Sequence, residues 1–311
     1  MDNIILDIKN LSKSYNSIKA LDNFSLSLKK GEIFGLLGPN GSGKTTLISI
    51  LSGTLKDFSG TVYFKKQDLF SNRKLKNFIG IVPQDMAFYE ELSAMDNLIF
   101  WGGLYGLSKK KLKNRAIELL KIVGLTSRAK EPIKNFSGGM KRRLNIAIGL
   151  IHKPELLLLD EPTVGIDVQA TVKILEIIKE VGKNGTSVIF TTHQLTEAEK
   201  ICSNIGIMDK GHILAHGTLE ELIQIVGEKE IIDIKGEFPA NTITPILKKK
   251  ATYEILSVED SFISLAFKHT DKIPALLDTL FKNNILVTDL KIKSPNLETV
   301  FLKLTGRSLR D

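Results

Sequence analysis

Apolar and polar residues alternate over residues 4–11 and again over 24–28, which reads as a pair of half-buried antiparallel strands. Ile33–Leu37 is an unbroken apolar run of the kind found in strands covered on both faces. The period then changes. Residues 46–51 read as a helix that stops at Gly53, 60–64 and 78–83 as strands, 84–91 as a loop and 95–105 as a helix. Ser108 is expected to cap a helix over 109–123, because Leu112, Ala116, Leu119, Leu120 and Val123 recur at the helical period and Gly124 ends the run. Ser137 is the expected N-cap of a further helix with Leu144, Ala147, Ile148 and Ile151 on its apolar stripe and Pro154 as its stop. Residues 155–160 then form an apolar strand. Asp167 caps a helix to about Val181, and Ser187–Thr192 is the next strand. This alternation predicts an α/β sheet with helices on its faces. Strands at 205–208 and 212–215 flank an Asp209-Lys210-Gly211 turn, and Thr218 with Glu221 forms a capping box for a short helix.

Around residues 227–230 the texture changes. The remainder reads strand (230–234), helix (243–249), strand (253–258), strand (262–268), helix (273–281), strand (286–292), helix (297–304). That is a βαββαβ plan, expected to form a small ferredoxin-like α+β sandwich, with Ile273, Leu276, Leu277 and Leu280 on one helix face. The segment has no cluster of His, Cys or paired carboxylates. A regulatory, dimer-supporting or partner-binding role and a purely structural one are both open. The division expected is 1–227 and 228–311.

The composition changes this picture little. The chain has 311 residues, 42% of them hydrophobic and 25% charged, enough for a large domain and a small one. Net charge is +8, but the lysines are scattered, with short clusters only at 109–111 and 248–250, which favours a solvated surface over a nucleic-acid footprint. The single cysteine, Cys202, permits no intrachain disulfide and suits a reducing compartment. The N-terminus has no basic, apolar leader, and the longest apolar stretch, residues 97–107, is broken by glycine and far below the ~20 residues that span a bilayer. A soluble protein that serves a membrane only through a partner is expected.

The chemistry is concentrated between the first strand run and the first helix. Gly38, Pro39, Asn40, Gly41, Ser42, Gly43, Lys44 and Thr45 fit the phosphate-binding pattern G-x-x-x-x-G-K-[ST], followed by Thr46. Glycines let successive backbone N–H groups face one anion, and the helix N-terminus adds partial positive charge. Lys44 is expected to reach the outer phosphates and the Thr45 hydroxyl to hold Mg²⁺. Four leucines then carry Asp160 to the carboxyl end of a buried strand, expected beside the loop. There Asp160 could hold the Mg²⁺ shell and Glu161 could take a proton from an attacking water.

Phe136-Ser137-Gly138-Gly139-Met140, about twenty residues before this pair, resembles the signature motif of ABC (ATP-binding cassette) ATPases. Other elements follow in the family's order over residues 4 to about 226. Tyr15 resembles the aromatic residue that stacks on adenine, and Gln84 the glutamine that touches Mg²⁺ and the attacking water. Gly165-Ile166-Asp167 resembles the D-loop, and His193 the switch histidine at the γ-phosphate. Phe136 and Met140 stand where many members have Leu and Gln, and Ile166 replaces the common Leu. Residues 295–307 are similar to the C-terminal segment of drug- and polysaccharide-export subunits of the daunorubicin-resistance type. Bottom-up, that segment is an amphipathic helix with Leu297, Val300, Phe301 and Leu304 on one face. Trp101 reads as core, and His152, His212, His216 and His269 as structural.

The resemblance implies a P-loop ABC ATPase domain: a mixed sheet with an antiparallel edge, a parallel core and a helical subdomain at about 86–153. It implies ATP and Mg²⁺ as ligands. It also implies a composite site in which Ser137 and Gly139 of one copy complete the phosphate site of another, with Gly138 and Asp167 as further nucleotide-binding residues. A homodimer, or a pair with a closely related subunit, would then act on integral membrane permease subunits from the cytoplasmic face. The permease would dock near residues 84–105, and no nucleic-acid partner is implied. The alternative is a soluble ABC ATPase acting on nucleic acid or ribosomes, for which two cassettes or a coiled-coil insertion would be expected.

Overall fold

The structure is a computed structural model that describes residues 3–226, 230–247, 253–267, 270–293 and 296–306. His269, the lysines at 248–250, and positions 227–229, 295 and 307 therefore lie outside the described residues. The chain divides into two compact units, Met1–His216 and Gly217–Asp311.

The first unit opens with strands β1 (Ile4–Tyr15) and β2 (Ile18–Lys29), paired antiparallel and longer than their alternation alone indicates. β3 (Ile33–Leu37) leads to α1 (Lys44–Leu51). β4 (Ser59–Phe64), β5 (Gln67–Asp68) and β6 (Ile79–Val82) follow. Three helices, α2 (Ala94–Gly103), α3 (Lys109–Ile122) and α4 (Gly138–Gly149), lie between β6 and β7 (Leu156–Asp160). α5 (Val168–Lys183), β8 (Ser187–Thr192), α6 (Leu195–Ile201), β9 (Asn204–Asp209) and β10 (His212–Gly217) complete it.

The antiparallel strands form a sheet of their own, in the order β2-β1-β4-β5, facing a six-stranded sheet β10-β9-β3-β8-β7-β6. In the larger sheet β9, β3, β8, β7 and β6 pair in parallel. Register pairs Leu37 with Thr192 and Asp160 with Thr191, so the chain leaves β3, β7 and β8 at one carboxyl edge. Ligands of open parallel sheets bind at that edge. The four leucines of β7 face opposite ways by the period of two: Leu156 and Leu158 enter the core shared with the antiparallel sheet and α1, and Leu157 and Leu159 the core under α4 and α5. Burying each contributes about 1.5–3 kcal/mol.

Some elements differ from the pattern-based expectation. β7 does not adjoin β3, because β8 lies between them. A run of leucines specifies burial on both faces but not the neighbour. α4 ends at Gly149, five residues before Pro154. Ser108 occupies the N-cap of α3 without a capping side-chain hydrogen bond, whereas Ser93 caps α2 through Asp96 N. α6 has no counterpart in the pattern analysis. Its two turns bury Glu197 together with Ala198 and Ile201, and the charge breaks the apolar stripe. Trp101 is half-buried, edge-on to Phe100.

In the second unit α7 (Leu219–Val226) carries the expected capping box: Glu221 N donates to Thr218 Oγ1 (3.2 Å) and Thr218 N to Glu221 Oε2 (2.9 Å). β11 (Glu230–Glu237), α8 (Ala240–Leu247), β12 (Tyr253–Glu259), β13 (Phe262–Phe267), α9 (Ile273–Lys282) and β14 (Leu286–Lys293) follow. The sheet order β12-β13-β11-β14, with antiparallel pairs, is that of a ferredoxin-like βαββαβ sandwich. Ile232, Ile234, Leu265, Leu276 and Leu280 share its core. α10 (Leu297–Thr305) buries Leu297, Val300 and Phe301, while Leu304 is half-buried.

Candidate functional site

Gly43, the N-cap of α1, has φ 110°, and a Cβ there would lie 2.2 Å from the Ala20 carbonyl oxygen, so only glycine fits. It leaves the first-turn N–H groups of α1 without a side-chain cap, a ready anion seat. Lys44 is 4% exposed. Its Nζ donates to the carbonyls of Gly38 (2.7 Å) and Pro39 (3.1 Å) and lies 3.3 Å from Glu161 Oε1. The Ser42 hydroxyl is buried without a hydrogen-bond partner.

Across the carboxyl edge, Asp160 reaches the loop although β8 intervenes. Thr45 Oγ1 is 3.4 Å from Asp160 Oδ1, and the β8 hydroxyl of Thr191 donates to the same oxygen at 2.8 Å. Thr191 Oγ1 in turn accepts from Glu161 N at 3.0 Å. Glu161 sits at φ 43°, a left-handed backbone rare for a non-glycine residue, and strain of this kind concentrates at functional turns. Its Oε2 is 3.4 Å from His193 Nδ1, so one carboxylate stands between Lys44 and His193.

Arg142, absent from the sequence-based candidates, holds this turn. It is 2% exposed, and all five of its N–H donors are used. Nε donates to Pro162 O (2.7 Å), one terminal nitrogen to Pro83 O (2.7 Å) and Gln84 O (3.0 Å), and the other to Asp160 O (2.9 Å) and Glu161 O (2.7 Å). Burial draws the guanidinium down to about 10, partly offset by the Asp160 and Glu161 carboxylates, and it stays a cation at neutral pH. The available signal was an arginine inside the buried face of α4, three residues after Gly139 and four before Ile146. A basic run at 141–143 concealed it.

An open cleft of about 460 Å³ is lined by Tyr15, Ala20, Asn40, Gly41, Gly43, Lys44, Thr45, Thr46, Gln84, Glu161, Val164 and His193. It therefore gathers candidates drawn from five separate stretches of sequence. Tyr15, at the end of β1, is 48% exposed, with Lys13 Nζ 5.0 Å from its ring centre. Ser137, Gly138, Gly139 and Asp167 do not line the cleft. Ser137 and Gly138 are exposed, and the Ser137 hydroxyl accepts from Met140 N (3.4 Å) as the N-cap of α4. Gly139 has a reason within its own chain, since a Cβ there would meet Ala170 Cβ at 2.5 Å. Asp167 caps α5 through Ala170 N at 2.9 Å.

The sequence profile of the ABC transporter family matches residues 21–164. The chain is 42% identical to the linearmycin resistance ATP-binding protein LnrL of Bacillus subtilis, over 99% of this chain and 100% of that protein. It is 34% identical to a Nod factor export ATP-binding protein I of Cupriavidus metallidurans, over 99% of each. It is 31% identical to the daunorubicin resistance ATP-binding protein DrrA3 of Streptomyces coeruleorubidus, over 100% and 98%. Among solved structures it resembles the dimeric post-hydrolysis state of the ATP-binding cassette MJ0796 bound to ADP and Pi, with a TM-score of 0.63 and 28% identity, covering 69% of this chain and 98% of that one. The alignment with LnrL covers 99% of the chain, and the family profile takes in the P-loop edge described above, so this protein belongs to the ABC transporter family as one of its ATP-binding, ATP-hydrolysing subunits.

Proposed function

We propose that this chain powers an exporter, as one of two copies that close on ATP and move a separate membrane permease. The observation that carries this reading is the division of the candidates. Lys44, Thr45, Gln84, Glu161 and His193 share one open cleft, while the exposed Ser137 at the N-terminus of α4 stands outside it. A second copy can supply that missing donor set. Export follows from the relatives, one of which is named for Nod factor export.

In this reading Tyr15 stacks on adenine, and the α1 N-terminus and Lys44 hold the phosphates. Glu161 accepts the proton of the attacking water, with His193 and Gln84 orienting the γ-phosphate and water. The residues also fit Mg²⁺: Thr45 and Asp160 present a hydroxyl and a carboxylate oxygen 3.4 Å apart, hard donors of the kind that ion takes. When bound, Mg²⁺ neutralises charge on the phosphate oxygens. The docking face for the permease is the stretch where Met86, Tyr89, Leu92, Ile99, Phe100, Leu104 and Tyr105 are exposed. Among the described residues no helix is long and apolar enough to cross a membrane, so the span is assigned to that partner, with this subunit on its cytoplasmic face.

The test is Glu161→Gln in the full-length chain. Phosphate release should stop while ATP still produces a dimer on size exclusion. Undiminished turnover would remove Glu161 from the role of base.

A further inference from the structure

A second carboxyl group lies behind the site and has no part in the scheme above. Glu197, near the start of α6, is 3% exposed. Its Oε2 accepts from Thr163 Oγ1 and from Thr192 Oγ1, each at 2.9 Å. Thr163 is two residues beyond Glu161, and Thr192 immediately precedes His193. The Thr192 hydroxyl also accepts from Gln194 N at 2.9 Å, so a polarised chain runs from that amide through the hydroxyl to the carboxyl group. Glu197 Oε1 is buried without a hydrogen-bond partner. Burial raises the pKa of the carboxyl, against the hydrogen bonds from both threonines. An apolar residue would fill this buried position with no such penalty.

We infer that Glu197 is a positioning residue for hydrolysis: one carboxyl oxygen clamps the segment leaving Glu161 to the segment entering His193, and so sets the separation of those two side chains. The inference rests on the roles assigned to Glu161 and His193. Both threonine hydroxyls converge on a single oxygen, so the clamp depends on the reach of the side chain rather than on its charge. This makes two conservative substitutions behave oppositely. Glu197→Gln keeps the length and an oxygen that can accept from both hydroxyls. Glu197→Asp keeps the acid but is one methylene too short to bridge them.

The test measures ATP hydrolysis and ATP affinity of the full-length chain, with a thermal melt on each variant. Glu197→Asp should lower kcat about ten- to a hundredfold, the scale of a small misplacement of reacting groups, with the Kd for ATP within about threefold of the parent. Glu197→Gln should keep kcat within about threefold. Thr163→Val and Thr192→Val should each lower kcat on their own and add little in the Glu197→Asp background, because the bridge is already broken there. Wild-type kcat in Glu197→Asp, additive losses in the double variants, or activity in Asp but not in Gln would each overturn the clamp. If Glu197→Asp fails to fold, the threonine variants decide: each alone should lower kcat, and Thr163→Val with Thr192→Val together should lower it little more than either, so unchanged kcat in the single variants or an additive loss in the pair overturns the clamp. Glu161→Gln run in parallel separates the two levels. Surviving turnover there sinks the assignment of the base, whereas an inactive Glu161→Gln beside a fully active Glu197→Asp sinks the clamp alone.

Discussion

Arg142→Met replaces the buried guanidinium with an unbranched apolar side chain and withdraws five donors at once. A hydrogen bond from a charged group is worth about 1.5–3 kcal/mol net. Five taken separately would approach about 7–15 kcal/mol, the whole stability of a domain. They cannot add in that way, because one group makes all five and its burial is itself costly. The fall of its pKa to about 10, net of the attraction to Asp160 and Glu161, corresponds to roughly 3 kcal/mol. The expected net loss is therefore about 3–5 kcal/mol, the range for removing one partner of a buried charged network. For a unit of this size that lowers the melting midpoint by about 10 °C. The assay is thermal and denaturant unfolding of the full chain, with ATP hydrolysis measured alongside. Hydrolysis should fall more steeply than ATP binding, since the released carbonyls belong to Gln84 and Glu161, which line the cleft and are proposed to act on the water, and to Asp160 next to Glu161. Arg142→Lys, with three donors on a point charge, should recover only part of either loss. A destabilisation below about 1 kcal/mol in Arg142→Met would refute the reasoning, because buried carbonyls left without donors cannot be that cheap.

Other outcomes follow from single features. Gly43→Ala should abolish nucleotide binding, seen as loss of fluorescent ATP-analogue titration, since its Cβ meets Ala20 O in a left-handed backbone. Ser137→Arg should block hydrolysis while the isolated chain still binds ATP, and normal phosphate release would count against a composite site. Burial, with the nearby Arg115 charge, lowers the pKa of His152, whose ring stacks on Tyr105 at 3.8 Å. The folded state therefore prefers the neutral ring, so this contribution is present above pH ~6.5 and is lost as pH falls below it, by at most about 1.4 kcal/mol per pH unit. His152→Phe should keep the stack and flatten that part of the stability profile between pH 7.5 and 5.5; an unchanged slope would exclude His152 as its source.

Much of the molecule was legible without coordinates wherever the information is local. The P-loop, the Thr218–Glu221 capping box and the period changes each lie within a few residues, and backbone sterics and helix-end chemistry act at that range. The βαββαβ order of the second unit was readable for the same reason. Its place after Asp160 made Glu161 a candidate, and the resemblance to the family's ordered motifs added Gln84 and His193, before their cleft was seen. What lay beyond reach were contacts between positions distant in sequence. Arg142 meets Gln84 58 residues away, and Glu197 meets Thr163 34 residues away. Each looks like an ordinary surface charge until its neighbours are known. Strand order belongs to the same class: a run of leucines demands burial on both faces, but any apolar strand could supply it. Only the assembled sheet placed β8 between the P-loop strand and Asp160, and brought its Thr191 hydroxyl onto the Asp160 carboxylate. The sequence by itself determined which residues could do the chemistry, because that depends on side-chain type and short spacing. Tertiary structure alone decided how they are held, because a buried charge survives only where distant backbone groups converge to satisfy it.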